Sequence, residues 1–153
     1  MTTRTPVDSL PFHDLLIVDI GGTVASGYAG KLYADYGARV VNLEPPEGFS
    51  TRHIAPLLDN GTSAIHTYLH AHKQSVCCTD SVLTHPATLA ADLVILDVST
   101  LPTSLAVDDF DTNVCAISWY GLTGPYAGFR GSDASIHALT GLMHGIGETD
   151  GPP

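Results

Sequence analysis

Fixed positive charge is scarce in this sequence. Arg4, Lys31, Arg39, Arg52, Lys73 and Arg130 are its only Lys and Arg residues, against 16 Asp and Glu, a formal charge of -10. Binding a nucleic-acid backbone needs clustered Lys and Arg, so nucleic acid is excluded as a partner. A single phosphorylated small molecule is not excluded, because one or two cations and backbone N–H groups suffice for it. Charged residues make up only 14% of the chain, against about a quarter in ordinary globular proteins. Part of the surface is therefore expected to be covered, by a partner subunit or by further chain. Cysteine is also sparse. Cys77, Cys78 and Cys115 form neither a disulfide framework nor a zinc spacing, and adjacent Cys77 and Cys78 would lie on opposite faces of a strand. They read as reduced, partly buried thiols. Long apolar runs are missing too: nothing approaches a membrane span, and MTTRTPVDSLPFHD at the start has no signal-peptide core. The expected setting is soluble and cytoplasmic.

What is present is one domain's worth of α/β pattern in 153 residues. Residues 1–13, polar with two prolines, read as a flexible arm, and residues 14–153 as the folded domain. Asp14 to Ile20 is a continuous apolar run of strand length, the pattern of a strand buried on both faces of a parallel sheet. Gly21-Gly22-Thr23 turns the chain, and Val24 to Tyr36 combines small residues with Leu32, Tyr33 and Tyr36 at helical spacing. Gly37 suits a helix end, and Ala38 to Leu43 is a second strand. Together these make a βαβ unit. Phe49 to Asn60 is irregular, Thr62 to Ala71 a helix, Gln74 to Thr79 a short strand, and His85 to Ala91 a helix after Pro86. Asp92 to Val98 and Val114 to Trp119 are further strands, separated by a loop or short helix, and Asp133 to Met143 carries a small-residue helix pattern. Alternation of apolar strands and helices predicts a Rossmann-like parallel sheet with helices on both faces.

Most short motifs carry little. Val18-Asp-Ile-Gly-Gly-Thr23 is similar to the first phosphate loop of sugar kinases and actin-like ATPases, but there a strand follows the glycines, whereas a helical stretch follows here. Gly22 and Gly27 do not reproduce Gly-x-Gly-x-x-Gly, no Lys-Ser/Thr follows Gly27, and no Gly-x-Ser-x-Gly elbow exists. His66 and His70, one helical turn apart and close to His72, invite a metal reading. No Cys or acidic ligand joins them at characteristic spacing, so a partly exposed, His-rich helix end is the preferred reading. His137 and His144 share a helix face and read as packed or solvent-facing. Lys73 directly precedes a strand, where a cation can meet a phosphate or a carboxylate. Asp133 stands at a helix start as an N-cap candidate, and is also the only acidic residue in the loop after the fifth strand.

Taken together, the distributed motifs are specific. Ala34-Asp-Tyr-Gly-Ala-Arg-Val-Val41, Glu44-Pro-Pro-Glu-Gly48 with Arg52, Lys73-Gln-Ser-Val76, Ala91-Asp-Leu-Val-Ile95, Ser118-Trp-Tyr-Gly-Leu-Thr-Gly-Pro-Tyr-Ala127, Gly131-Ser-Asp133, Thr140-Gly-Leu-Met143 and Asp150-Gly-Pro-Pro153 occur in this order. The chain resembles the N-terminal part of the class III CoA-transferases of CaiB/BaiF type, which include formyl-CoA transferase, carnitine CoA-transferase and α-methylacyl-CoA racemase. The resemblance implies a Rossmann-like large domain and an enzyme moving CoA between carboxylic acids through an aspartyl-CoA thioester. Coenzyme A or acyl-CoA would be substrate, with no metal. Val24, Ala25, Lys73, Tyr120 and Gly121 would be CoA contacts, with Asp133 as active-site support. The nucleophilic Asp is expected beyond Pro153, and the partner chain is an interlocked homodimer mate or a complementing chain.

The departures are local. Gly27 replaces the usual Pro, His72 the usual Gly before the lysine, and Ser99-Thr-Leu-Pro102 the usual Arg-Pro-Gly. Ser132 stands where the racemase branch has His, which favours a transferase. A CoA-binding module or degenerate homologue without turnover, and an unrelated nucleotide-binding α/β domain, are the competing readings.

Overall fold

The computed structural model describes residues 10–146. The sequence forms five strands: β1 (Leu16–Asp19), β2 (Arg39–Glu44), β3 (Gln74–Cys77), β4 (Leu93–Asp97) and β5 (Asn113–Ile117). Its α-helices are α1 (Val24–Asp35), α2 (Ala64–Leu69), α3 (Pro86–Leu89) and α4 (Asp133–Leu139), with short 3-10 turns at Ser50–His53, Val107–Asp109 and Leu142–Gly145. The sheet order is β3-β2-β1-β4-β5 and every pairing is parallel. This is the α/β fold with a parallel sheet that the alternating pattern predicts.

Two compact units make up the chain, residues 1–117 and 118–153, where the sequence pattern predicts one domain over 14–153. In the first unit the sheet buries both faces. Leu16, Val18, Val41, Leu43, Val94, Leu96 and Phe110 form the core on one side, with Ala87 of α3 packed against it. Ile17, Ala38, Val40 and Ile95 form the other, covered by Ala29, Tyr33 and Ala34 of α1. Burial on both faces is why β1 and β4 read as apolar runs rather than as alternating ones. Residues 1–9 of the predicted arm lie outside the described residues. Phe12, assigned to that arm from sequence, packs its ring 5.4 Å from Tyr33 and donates its N–H to the Tyr36 carbonyl.

The strand order reverses between β1 and β4, and in open α/β sheets the crevice at the carboxyl ends of such strands is where ligands bind. Gly21-Gly22-Thr23, which follows β1, and Asp97, which ends β4, meet at that point.

Candidate functional site

The turn after β1 is held from several directions. The Asp19 carboxylate accepts from the Gly21 N–H at 3.0 Å. Ser50 donates its hydroxyl to the Gly22 carbonyl and Thr100 to the Gly21 carbonyl, both at 2.8 Å. Thr23 caps α1: its hydroxyl accepts from the Ser26 N–H, and the Ser26 hydroxyl accepts from the Thr23 N–H, each at 3.2 Å. The Thr23 hydroxyl proton goes to Asp97 Oδ2 at 2.8 Å. Such a cap leaves the Val24 and Ala25 N–H groups without an intrahelical acceptor, and both residues are exposed. Gly22 has a left-handed φ of 64°, and a Cβ there would sit 2.7 Å from the Phe49 ring. A Gly22→Ala variant is expected to lose about 1–3 kcal/mol from overpacking alone. Chemical denaturation measures it, and an unchanged midpoint would contradict this packing.

Beneath the turn lies a buried ion pair. The side chains of Lys73 and Asp19 are both 0% exposed, with Lys73 Nζ 3.5 Å from Asp19 Oδ2 and donating to the Gly27 carbonyl of α1 at 2.8 Å. Burial pushes the Asp19 carboxyl up and the Lys73 ammonium down, and each is held back by the other's charge. Of the two partners its position allowed, Lys73 meets a carboxylate, inside the protein.

A second anchor explains the Glu-Pro-Pro-x-Gly pattern and the Arg that follows it. Arg52 grips Glu44 with Nε at 2.6 Å and Nη2 at 2.7 Å, the Phe49 N–H donates to the same carboxylate at 2.9 Å, and the Ser75 hydroxyl also donates to it. Burial would raise the Glu44 carboxyl, but the hydrogen bonds from Arg52, Ser75 and Phe49 outweigh it and hold the pKa at about 2. Gly48 turns with φ 78°, and a Cβ there would meet Arg52 Cδ at 2.6 Å, so only glycine lets the arginine reach back. Glu44, Pro45, Pro46, Gly48, Arg52 and the exposed Cys77 line an open cleft of about 230 Å³.

His66 of α2 and His70 at its C-cap turn their rings towards neighbouring side chains. His66 is buried and its ring lies 4.3 Å from that of His70. Thr51 Oγ1 stands 2.9 Å from His66 Nδ1 and 3.3 Å from His70 Nε2, and Asn42 Nδ2 stands 2.9 Å from His70 Nδ1. The helix end is partly exposed, as the sequence leads one to expect: Tyr68 and His72 are exposed and His70 is half-buried, while His66 is buried against Thr51 and His70 also meets Asn42. Burial, reinforced by the Lys73 charge, lowers His70 to about 3, and burial with the Arg52 charge lowers His66, so both rings are neutral hydrogen-bonding groups near pH 7. Among the described residues, no group of three or more His, Cys, Asp or Glu is placed to hold a metal.

Tyr120, Gly121 and Asp133 belong to the second unit. There Tyr120 donates its hydroxyl to Ser135 Oγ at 3.0 Å, and the Gly121 N–H donates to Ser118 Oγ at 3.0 Å. Asp133 is exposed and is the first residue of α4; the N-cap is Ser132, whose hydroxyl accepts from the Ser135 N–H at 3.3 Å. The N-cap expectation for Asp133 is therefore corrected by one position. A Ser is preferred at that site because its short hydroxyl reaches back to the third helical N–H. In the same unit His137 is half-buried and His144 exposed. The Asp150-Gly-Pro-Pro153 motif lies outside the described residues.

Comparison with known proteins fits this arrangement. The model of CoA-transferase family III matches residues 12–80, which span β1 to β3 and include the turn and both ion pairs. A succinate–glutarate CoA-transferase from Agrobacterium fabrum is 30% identical over 99% of this chain and 43% of its own length. The chain is similar to the N-terminal part of the CoA-transferases of family III. A succinyl-CoA:glutarate CoA-transferase from Mus musculus is 28% identical over 98% of the chain and 38% of its own length. The crystal structure of a CaiB/BaiF family protein from Brucella suis superposes with a TM-score of 0.78 at 26% identity, over 94% of this chain and 43% of that one. The chain thus spans less than half the length of these relatives.

Of the residues expected to contact CoA, Val24, Ala25 and Lys73 lie in the first unit, the first two on its surface and Lys73 with a buried side chain. Asp19, Asp97, Ser50 and Thr100, which fix the turn, went unnoticed in the sequence. Asp19 and Asp97 carried the one available signal, an acidic residue ending an otherwise apolar strand.

Proposed function

We propose that this chain provides the acyl-CoA-binding N-terminal part of an enzyme that moves CoA between carboxylic acids. The observation that carries the reading is the β1–α1 turn. It lies at the point where the strand order reverses, inside the segment matched by the family model, and is held so that the N–H groups of Val24 and Ala25 stay free. These groups would bind oxygen atoms of the CoA moiety, as helix N-termini commonly do. In the second unit, taken by itself, the resemblance implies the Tyr120-Gly121 loop as a CoA contact and Asp133 as polar support. Lys73 would serve the site by fixing Asp19 and the Gly27 carbonyl rather than by touching the ligand.

The chemistry would use an aspartate that the family resemblance places after the Gly-Pro-Pro turn, outside this sequence. Its carboxylate attacks the thioester carbonyl of the donor acyl-CoA, the carbon–sulfur bond breaks, and a mixed anhydride and CoA thiolate result. The thiolate then attacks the aspartyl carbonyl and expels the donor acid as carboxylate, leaving an aspartyl-CoA thioester. The acceptor carboxylate runs the same two steps in reverse. Relatives named for succinate and glutarate make short dicarboxylates the first acids to test.

Calorimetric titration of the 153-residue chain with CoA and with ATP tests the reading. Saturable CoA binding without turnover is expected. Binding of ATP but not CoA would point to an unrelated nucleotide-binding domain and sink it.

A further inference from the structure

We infer that Asp97 and Thr100 are positioning residues for the acyl-CoA site, an inference that rests on the functional reading above. Both lie at or just after the carboxyl end of β4, on the far side of the strand-order reversal from the turn they hold. Asp97 is 8% exposed and its carboxylate is fully used: Oδ2 accepts from the Thr23 hydroxyl at 2.8 Å, and Oδ1 accepts from the Ser99 N–H at 2.9 Å and the Ser99 hydroxyl at 2.6 Å. Thr100 donates its hydroxyl to the Gly21 carbonyl at 2.8 Å.

These contacts act on two residues of one turn, Gly21 and Thr23. Thr100 fixes the plane of the Gly21–Gly22 peptide through its carbonyl. Asp97 takes the only proton of the Thr23 hydroxyl, so the lone pairs of that oxygen are left for the Ser26 N–H. The orientation of the first α1 turn, and of the Val24 and Ala25 N–H groups, is thereby set from β4. This region is also where Ser99-Thr-Leu-Pro102 replaces the Arg-Pro-Gly expected from the family pattern. In place of an arginine able to meet a phosphate, the segment carries two hydroxyls used within the protein, Ser99 on the Asp97 carboxylate and Thr100 on the Gly21 carbonyl. It contributes to binding by preorganisation, so that less ordering is left to the ligand.

The test compares the unaltered chain with Thr100→Val, Thr100→Ser and Asp97→Asn, reading CoA affinity by calorimetry and amide hydrogen exchange across the molecule. Thr100→Val removes the donor at nearly constant volume. It is expected to weaken CoA binding about 10-fold, the scale of one lost hydrogen bond. Exchange should quicken at residues 21–25 while β1, β2 and β4 stay as protected as before. Thr100→Ser should restore both readouts, and Asp97→Asn should act like Thr100→Val. Unchanged affinity and unchanged exchange of the turn in both Thr100→Val and Asp97→Asn would overturn the inference. Loss of protection throughout the sheet, not reversed by Thr100→Ser, would also overturn it, because the role would then be general stability. Failure of the unaltered chain to bind CoA would instead show itself before any variant is made, and would remove the functional reading on which the ligand role rests.

Discussion

Replacing Lys73 with Met is expected to cost about 3–5 kcal/mol of unfolding free energy, because it strands the Asp19 carboxylate in the interior. Nothing among the described residues hydrogen-bonds to Asp19 Oδ2, so the nearby ammonium is what compensates its burial. The loss should depend on pH in a definite sense. Burial already raises Asp19, and without Lys73 it rises further. A carboxyl whose folded pKa lies above its unfolded value favours the folded state at low pH, and loses that advantage as pH rises through the folded value. The Lys73→Met defect should therefore shrink in acid and be greatest near pH 7. Adding Asp19→Asn should recover most of it and flatten the pH dependence. Urea denaturation of the single and double variants at pH 4 and 7 checks this. A defect below about 1 kcal/mol, in the range of exposed ion pairs, would mean that the pair is not sealed from water.

Glu44 should behave in the opposite sense. Its pKa is held at about 2 against an ordinary 4.5, so the folded state gains stability above the unfolded value and loses it as pH falls towards the folded one. The shift corresponds to roughly 2–3 kcal/mol, after allowance for the partly exposed Arg52 guanidinium. Glu44→Gln is expected to destabilise the protein by that amount at pH 7. The gap between variant and wild type should close as pH drops from about 4.5 towards 2. A gap of constant size across this range would assign the effect to packing instead of charge.

Much of this fold could be read from the sequence, because the central strands are buried on both faces. Runs such as Leu16-Ile-Val-Asp19 and Leu93-Val-Ile-Leu-Asp97 leave no other place for so much consecutive apolar surface, and Gly37 closes α1 as a left-handed turn with φ 101°. The site was legible only in part. The order of the motifs singled out the turn after β1 as a candidate, but not the wiring around it, since Asp19 meets Lys73 and Thr23 meets Asp97 across gaps that no local periodicity bridges. Lysine beside a strand end gave no hint of a fully buried ammonium. His66 and His70 were correctly placed on one helix face, but whether that face points inward depends on Thr51 and Asn42, which come from separate segments. Cys77 ends β3 and is exposed, while Cys78, just past the strand, is buried.

The buried lysine also bears on how β3 keeps its place. This strand lies at the edge of the sheet, and all four of its residues are exposed, so no buried apolar face fixes which residue of β2 it pairs with. Strands with no buried face are those most prone to slip along a neighbour. Lys73 is the residue immediately before β3, and its ammonium is tied to α1 and to β1. A slip of one residue would move the chain by about 3.3 Å, too far for that ammonium to keep both partners. The alignment of Gln74 with Val41 is thus held at the head of the strand by a charge in the interior, alongside the Ser75 hydroxyl that reaches Glu44 of β2.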